Sequence, residues 1–373
     1  MDRAEKALRW DYPLLLITLA LTGLGLVMVL SASTFVAEKR FGDAYFFFKP
    51  QLVFMLLGLA AMLVLRNVPY RFFCKWSYVW LGLALLGLIL VFVPPLGRTV
   101  GGATRWVRLG AFSGQPSEFA KFALVVFLAM SLAARQEELK ELKRGLLPHL
   151  AVAGVLGGLI VIEPDLGSAV TVAAIAAVLL FVAGARWWHL LLTAAAGGVA
   201  GVFFVLHHGY QLRRVATYLS PWEDPQGAGY HIIHSFYAFS LGGLTGVGPG
   251  AGRQKLFFLP EPHTDFIYSV VGEELGFVGV VVVALLFLLL IWRGVTIALE
   301  SPELEGTYLA LGLTLIIGVQ AFMNMFVVTG LLPTKGLALP FFSYGGSSLL
   351  MNFICVGILM NVAAQDRRRE TDD

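Results

Sequence analysis

The sequence predicts an all-α fold: a polytopic membrane protein of about ten transmembrane helices with one long extracytoplasmic loop. Two observations carry this. Of the 373 residues, 58% are hydrophobic and only 14% charged, with a mean hydropathy of +0.78; soluble domains are charged at about one residue in four. Apolar runs of about 18 residues or more recur along the whole chain, the length a helix needs to cross the hydrocarbon layer. A net charge of +3 is too small to point to nucleic acid.

The spans follow in order. Arg3, Lys6 and Arg9 precede the first, at 12–33. This start resembles a signal peptide ending in "SAS", but the run from Tyr12 to Leu30 is longer than a signal segment of about 7–15 apolar residues, so it reads as a retained helix. The others are expected at 47–66, 74–94, 117–134, 147–162, 166–184, 187–206, 266–293, 306–330 and 341–364. Cys74 at a helix end and Cys355 inside the last helix read as small hydrophobes, which argues against a disulfide framework or a cysteine-held metal.

With the N-terminus inside, fifteen of the 27 Lys and Arg residues fall on the cytoplasmic side, eleven outside, and Lys121 within a helix. The bias puts both termini in the cytoplasm. The external charges sit where topology alone would not want them, which suggests that function holds them there. The external loop at 207–265 is too long for a plain connection. It carries a turn cluster ("SPWEDPQGAGY"), a helix-like piece ("HIIHSFYAFSLGG") and a Gly-rich run. No soluble domain interrupts the chain, so 1–373 reads as one membrane domain.

Ionisable groups crowd the stretch "LPEPHTDFIYSVVGEELGFVG" at 259–279, just before the greasiest run of the chain. Asp265 lies at the external mouth of the eighth span. It either caps that helix through free backbone N–H groups, or serves a membrane-surface site as general base or as ligand of a divalent cation. His263 reads as a polar loop residue, since no second His or Cys stands at zinc spacing. His231 and His234, spaced i, i+3, suit either two metal ligands or simple solvation. Glu273 and Glu274 lie about 12–14 Å deeper; buried carboxylates there are costly and point to function or to pairing. At about 100° per residue, Glu273 falls about 80° from Asp265 and Glu274 about 180°. Glu273 is thus expected to share the Asp265 cavity, and Glu274 to pair with another helix.

A second dense stretch is "GGATRWVRLGAFSGQPSEFAK" at 101–121. Arg105 and Arg108 flank Trp106, which suits the headgroup level. Guanidinium groups there either anchor the loop or bind a phosphate or pyrophosphate through paired hydrogen bonds. Glu118 and Lys121, i, i+3 neighbours, neutralise each other or line a polar cavity. "LTGVGPGAGRQK" is no phosphate-binding P-loop, because it lacks the G-K-[ST] ending. It reads as a flexible turn with Arg253 and Lys255 available for anions. "GLLPTKGLALPFFSYGGSS" puts Lys335 in the last external loop between Pro333 and Pro340, with Ser343 close behind as a cavity residue. Asn324, polar and within a span, needs a partner.

Together these stretches, with "GLVMVLSAS" and "EPDLG", resemble the SEDS family, the polytopic glycosyltransferases of bacterial cell-wall growth. The likeness runs over nearly the whole chain, and "RQK", "GEELG" and "LPTKG" resemble the division branch more than the elongation branch. The resemblance implies polymerisation of lipid II into glycan strands at the outer face of the cytoplasmic membrane. A class B penicillin-binding protein, other division proteins and membrane lipids would be its partners, and a divalent cation (Mg or Mn) its cofactor. It implies that Asp265 is the essential acid. It assigns Arg105, Trp106, Glu118 and Lys335 to the substrate, with Arg108, Lys121 and Arg253 alongside. Glu273, Glu274, His263 and Ser343 would shape the cavity. The chain departs from the family pattern at His231 and His234, and at Ser240 to Gly243. An elongation-type polymerase and a lipid II flippase are the alternatives; clustering of polar groups on the external side favours surface chemistry.

Overall fold

A computed structural model describes residues 10–369 other than 101–102, 111, 208, 228, 257, 261 and 335. Its helices are α1 (Tyr12–Phe41), α2 (Phe48–Leu65), α3 (Tyr70–Lys75), α4 (Ser77–Leu90), α5 (Pro116–Ala134), α6 (Leu147–Ile162), α7 (Leu166–Val182), α8 (Trp187–His207), α9 (Gly209–Leu219), α10 (Tyr230–Gly242), α11 (Ile267–Glu300), α12 (Leu304–Val328) and α13 (Gly346–Arg369). Eight apolar segments are long enough to cross a membrane, and the shorter α4 and α7 stand where the third and sixth spans were expected. The protein is a multi-pass membrane protein.

The sequence explains the helix starts. Asp11 caps α1 by accepting from the Leu14 N–H at 3.1 Å, and Asp165 caps α7 by accepting from the Ser168 N–H at 3.1 Å. Pro116 opens α5, where its missing N–H costs nothing. Asp11 also takes two hydrogen bonds from Arg293, at 3.0 and 2.6 Å, and so ties the start of α1 to α11. The helices α5, α12 and α13 form the buried centre. Helix α8 lies at the edge, with none of its side chains buried. In a bilayer its large apolar residues face lipid.

Two features depart from the expected helix list. The third span is α4, and a separate short helix, α3, precedes it, the two meeting at Trp76, whose backbone leaves helical geometry. The external loop after α4 folds into a three-stranded antiparallel sheet of β1 (Gly97–Val100), β2 (Ala103–Leu109) and β3 (Phe112–Gly114). Across β1 and β2, Arg98 faces Trp106 and Thr99 faces Thr104, so Arg105 is an extra residue in a bulge. A bulge turns one side chain out of the regular alternation, and here it turns Arg105.

Helix α11 is interrupted at Gly276, with φ 66° and ψ −165°. The Gly-rich loop after α10 folds back against this break. Val247 and Gly248 N–H groups donate to the carbonyls of Glu273 and Glu274 at 3.0 and 3.1 Å. On the far side, Phe277 and Val278 N–H groups donate to Gly243 and Leu244 carbonyls at 2.9 and 3.1 Å. The backbone groups freed by the break are thereby satisfied, as a low-dielectric layer demands. A side chain on Gly246 would begin 2.1 Å from the Glu274 carbonyl oxygen, so this packing needs glycine.

Candidate active site

Asp265 is not at the cap position of α11. The helix begins at Ile267, and Phe266, whose side chain makes no capping hydrogen bond, occupies that position. The carboxylate instead lines a cavity of about 400 Å³ with Arg213, Arg214, Asp224, His231 and Thr334. That volume falls in the range of small-ligand sites.

The backbone leading to Asp265 is held at three consecutive carbonyls. His263 O accepts from the Tyr344 N–H at 2.8 Å, Thr264 O from the Ser343 hydroxyl at 2.5 Å, and Asp265 O from the Asn324 amide at 2.8 Å. Asn324 also donates to Leu337 O at 2.6 Å, which fixes the last external loop beside the same segment. Ser343 accepts from the Leu339 N–H at 2.8 Å and is thus a brace for both strands of chain. His263 is buried with its ring against Phe47, centroids 4.3 Å apart. Burial, helped by the charge of Arg40, lowers its pKa to about 4, so it is neutral at physiological pH.

Arg105 reaches this segment from β2. Its Nε donates to Glu163 O at 3.3 Å and one terminal nitrogen donates to Pro164 O. The other terminal nitrogen lies 3.3 Å from where a side chain on Gly336 would begin, and Asp265 Oδ2 lies 3.4 Å from the same point. Glycine at 336 leaves room for cation and carboxylate to face one space. The α6–α7 turn packs tightly there, since a side chain on Gly167 would begin 2.7 Å from Leu337.

The remaining expected residues separate into groups. Trp106 faces Arg98 on the sheet, and Arg108 is exposed with its Nε on Gly110 O at 3.1 Å. The structure thus brings Arg105, and not Arg108, toward Asp265. Lys121 is fully buried, donating to Glu118 at 2.8 Å and to Gln320 at 2.7 Å. The pair links α5 to α12 inside the bundle and does not line the cavity. Lys335 lies outside the described residues; its neighbours Thr334 and Gly336 line the cavity.

Glu273 does not share the Asp265 cavity. It accepts from the Arg253 and Gln254 N–H groups at 2.6 and 3.1 Å, closing the Gly-rich loop onto α11. The Arg253 side chain is exposed outside the cavity lining. Glu274 pairs with another helix as expected, through the Ser31 hydroxyl of α1 at 2.7 Å, and also with Lys255 at 2.6 Å. Lys255 is therefore engaged and buried, not available for anions. The two loop histidines diverge: His231 lines the cavity, while His234 bonds Gln254 at 2.8 Å.

Four contributors were not singled out in the sequence. Arg213 and Arg214 counted only as external charge, because nothing local shows that α9 turns them toward Asp265. Gly336 carries no side-chain signal at all. Glu163, in the quoted "EPDLG", is buried beside Arg105, and neither carboxyl oxygen finds a hydrogen-bond partner among the described residues.

Among the described residues, no three His, Cys, Asp or Glu side chains come together as a metal cage. Carboxylates facing a cavity, here Asp265 and Asp224, fit a hard cation such as Mg2+, which takes one or two carboxylates and completes its shell with water and substrate phosphates.

A family profile described as "Cell cycle protein", carrying the names FtsW, RodA and SpoVE, matches residues 12–368. The chain is 46% identical to the probable peptidoglycan glycosyltransferase FtsW of Trichlorobacter lovleyi, over 95% of this chain and 93% of that protein. It is 43% identical to the stage V sporulation protein E of Bacillus subtilis, over 96% and 98%. Among solved structures it is similar to a chain of a peptidoglycan synthase complex that coordinates polymerization and crosslinking, with a TM-score of 0.80 and 32% identity over 96% of this chain and 99% of that one. The rod shape determining protein RodA of Thermus thermophilus matches with a TM-score of 0.71 and 29% identity, over 97% and 98%.

Proposed function

Because the chain belongs to the SEDS family of cell cycle proteins that includes FtsW, RodA and SpoVE, we propose that it is a peptidoglycan glycosyltransferase polymerising lipid II during septal wall synthesis. The observation that carries this reading is the convergence of Asp265 and the Arg105 guanidinium on the space above Gly336, beside a polar cavity. In the reaction, a sugar 4-hydroxyl attacks the anomeric carbon of a second lipid-linked sugar. The new C–O bond forms as the bond to the pyrophosphate oxygen breaks, and the pyrophosphate leaves with the electron pair. Asp265 takes the hydroxyl proton, and Arg105 stabilises the developing negative charge. A divalent cation, Mg2+ or Mn2+, would be held by Asp265 and supplies further charge neutralisation when bound.

Both termini lie in the cytoplasm in this reading, so the site opens on the external face. A class B penicillin-binding protein cross-links the product, and other division proteins recruit the pair. The similar chain from a peptidoglycan synthase complex supports such a partnership.

The test is glycan polymerisation. Purified protein with its transpeptidase partner, supplied with lipid II and Mg2+, is expected to make polymer resolvable on a gel. Asp265→Ala is expected to reduce the rate by about 10²–10⁴-fold, the usual scale for loss of a general base. Polymer at the wild-type rate from Asp265→Ala would remove Asp265 from the chemistry. Lipid II translocation in liposomes without polymer would replace the polymerase reading with a flippase.

A further inference from the structure

Arg213 and Arg214 line the same cavity as Asp265, together with a second carboxylate, Asp224. Thr217, one helical turn after Arg213, lines the same space and adds a hydroxyl. The lining thus combines two carboxylates with two adjacent guanidinium groups and a hydroxyl. A carboxylate base and a cationic anion site in one cavity can divide the labour of a group transfer.

The helix that carries the arginines is built for the membrane surface. In α9, Leu212, Tyr218 and Leu219 are exposed apolar side chains, while Arg213, Arg214 and Thr217 turn toward the cavity. A short helix with one apolar and one cationic face settles at the headgroup level. It comes after α8, none of whose side chains is buried. The Tyr218 hydroxyl donates to Leu331 O at 3.0 Å and fastens α9 to the last external loop, which bears Thr334 and Gly336. Arg105 already spends two donors on the carbonyls of Glu163 and Pro164, which leaves its outer nitrogen for the space beside Asp265.

We infer that Arg213 and Arg214 form the diphosphate subsite, gripping the phosphates of a polyprenyl-linked substrate while its chain lies in the bilayer beside α9. The inference deepens the polymerase reading and rests on it for the identity of the lipid. A guanidinium fork matches phosphate oxygens in pairs, and two adjacent forks suit two linked phosphates. In the balanced reaction, this subsite receives the diphosphate after its bond to the anomeric carbon breaks. The proton goes to Asp265.

Binding can be measured without turnover. Full-length protein in zwitterionic-lipid nanodiscs is titrated with undecaprenyl diphosphate, with undecaprenol as the phosphate-free comparison. Replacing both arginines by alanine is expected to weaken diphosphate binding about tenfold or more, the scale of losing charge-assisted hydrogen bonds. Replacing both by lysine is expected to restore part of it, because the charge returns without the fork. Arg98→Ala, an exposed residue of the sheet, is expected to bind as wild type. Asp265→Asn is expected to bind at least as tightly, since a like charge has been removed. Inorganic pyrophosphate is expected to compete, and anionic phospholipid at equal charge is not.

The inference is overturned if the double alanine variant binds as wild type while keeping its thermal midpoint, or if undecaprenol binds as well as the diphosphate. Loss of binding in Asp265→Asn would make the site cation-bridged and not arginine-based. Displacement by anionic phospholipid would make it a headgroup site. A protein that loses diphosphate binding with its arginines, yet never makes polymer, would leave this subsite standing and remove the polymerase reading.

Discussion

At Glu163 the chain buries a carboxyl group between the α6 and α7 helices with no hydrogen-bond partner among the described residues. Burial, with Asp165 adding to it, raises its pKa from 4.5 to about 8, although Arg105 pulls the other way. The folded protein therefore binds this proton more tightly than the unfolded chain does. That contribution to stability is complete below pH 4.5 and is lost as pH rises toward and through about 8. Glu163→Gln removes the titration and keeps the shape. Its thermal midpoint is expected to gain on wild type steadily from pH 5 to pH 9, and parallel curves would show that Glu163 is ionised throughout. Gly336 is the second sensitive position. The added methyl of Gly336→Ala would begin 3.3 Å from Arg105 and 3.4 Å from Asp265, so the Arg105 terminus must give by a few tenths of an ångström while the methyl fills the space between them. Polymerisation is expected to fall about 10-fold or more, since misplacement by about 1 Å costs about 100-fold. The melting temperature should be unchanged; a fully active Gly336→Ala would mean that the gap between them is not where chemistry occurs.

At the scale of elements, the join between the Gly-rich loop and broken α11 rests on Glu273, Glu274, Lys255 and Ser31. Removing one charge from a buried pair strands the other. Lys255→Met is expected to destabilise the protein by about 3–5 kcal/mol, read as a fall in the thermal midpoint. The double variant Lys255→Met with Glu274→Leu should regain much of it. A single variant as stable as wild type would mean that water reaches the pair. The two glutamates also show where sequence reasoning succeeds and stops. Their presence in an apolar segment was legible as a demand for partners, and Glu274 meets it with Ser31 of α1. The shared cavity for Glu273 was inferred from an unbroken helix running through Asp265. The helix begins only at Ile267, so the angle between the two had no physical basis. The partners of Glu273 are N–H groups some twenty residues away in sequence, at Arg253 and Gln254, and no periodicity reports such a contact. The small sheet was hidden for a similar reason. Its strands are short, and the bulge at Arg105 breaks the alternation by which strands are recognised.

For the whole molecule, the hydropathy pattern was enough to place the spans, because a bilayer leaves helices little choice. Which helices sit in the centre was not legible: α5, α8 and α12 are all apolar, yet α5 and α12 are mostly buried and α8 has no buried residue. Orientation is open to a direct measurement. Cys74 and Cys355 are both buried, so they add little background to thiol labelling. A membrane-impermeant maleimide is expected to label Arg98→Cys on intact spheroplasts and to label Lys143→Cys only after permeabilisation. The reverse pattern would put the Asp265 cavity in the cytoplasm. The supports of Asp265 have a further consequence, one of timing. The groups that hold its backbone, from Asn324, Ser343 and Tyr344, all come later in the chain than the aspartate itself. At about 5–20 residues per second, the ribosome delivers the carboxylate several seconds before the last of its clamps. A nascent chain, or one cut short within α12, carries the proposed catalytic aspartate without the clamps on its backbone and is expected to be inactive.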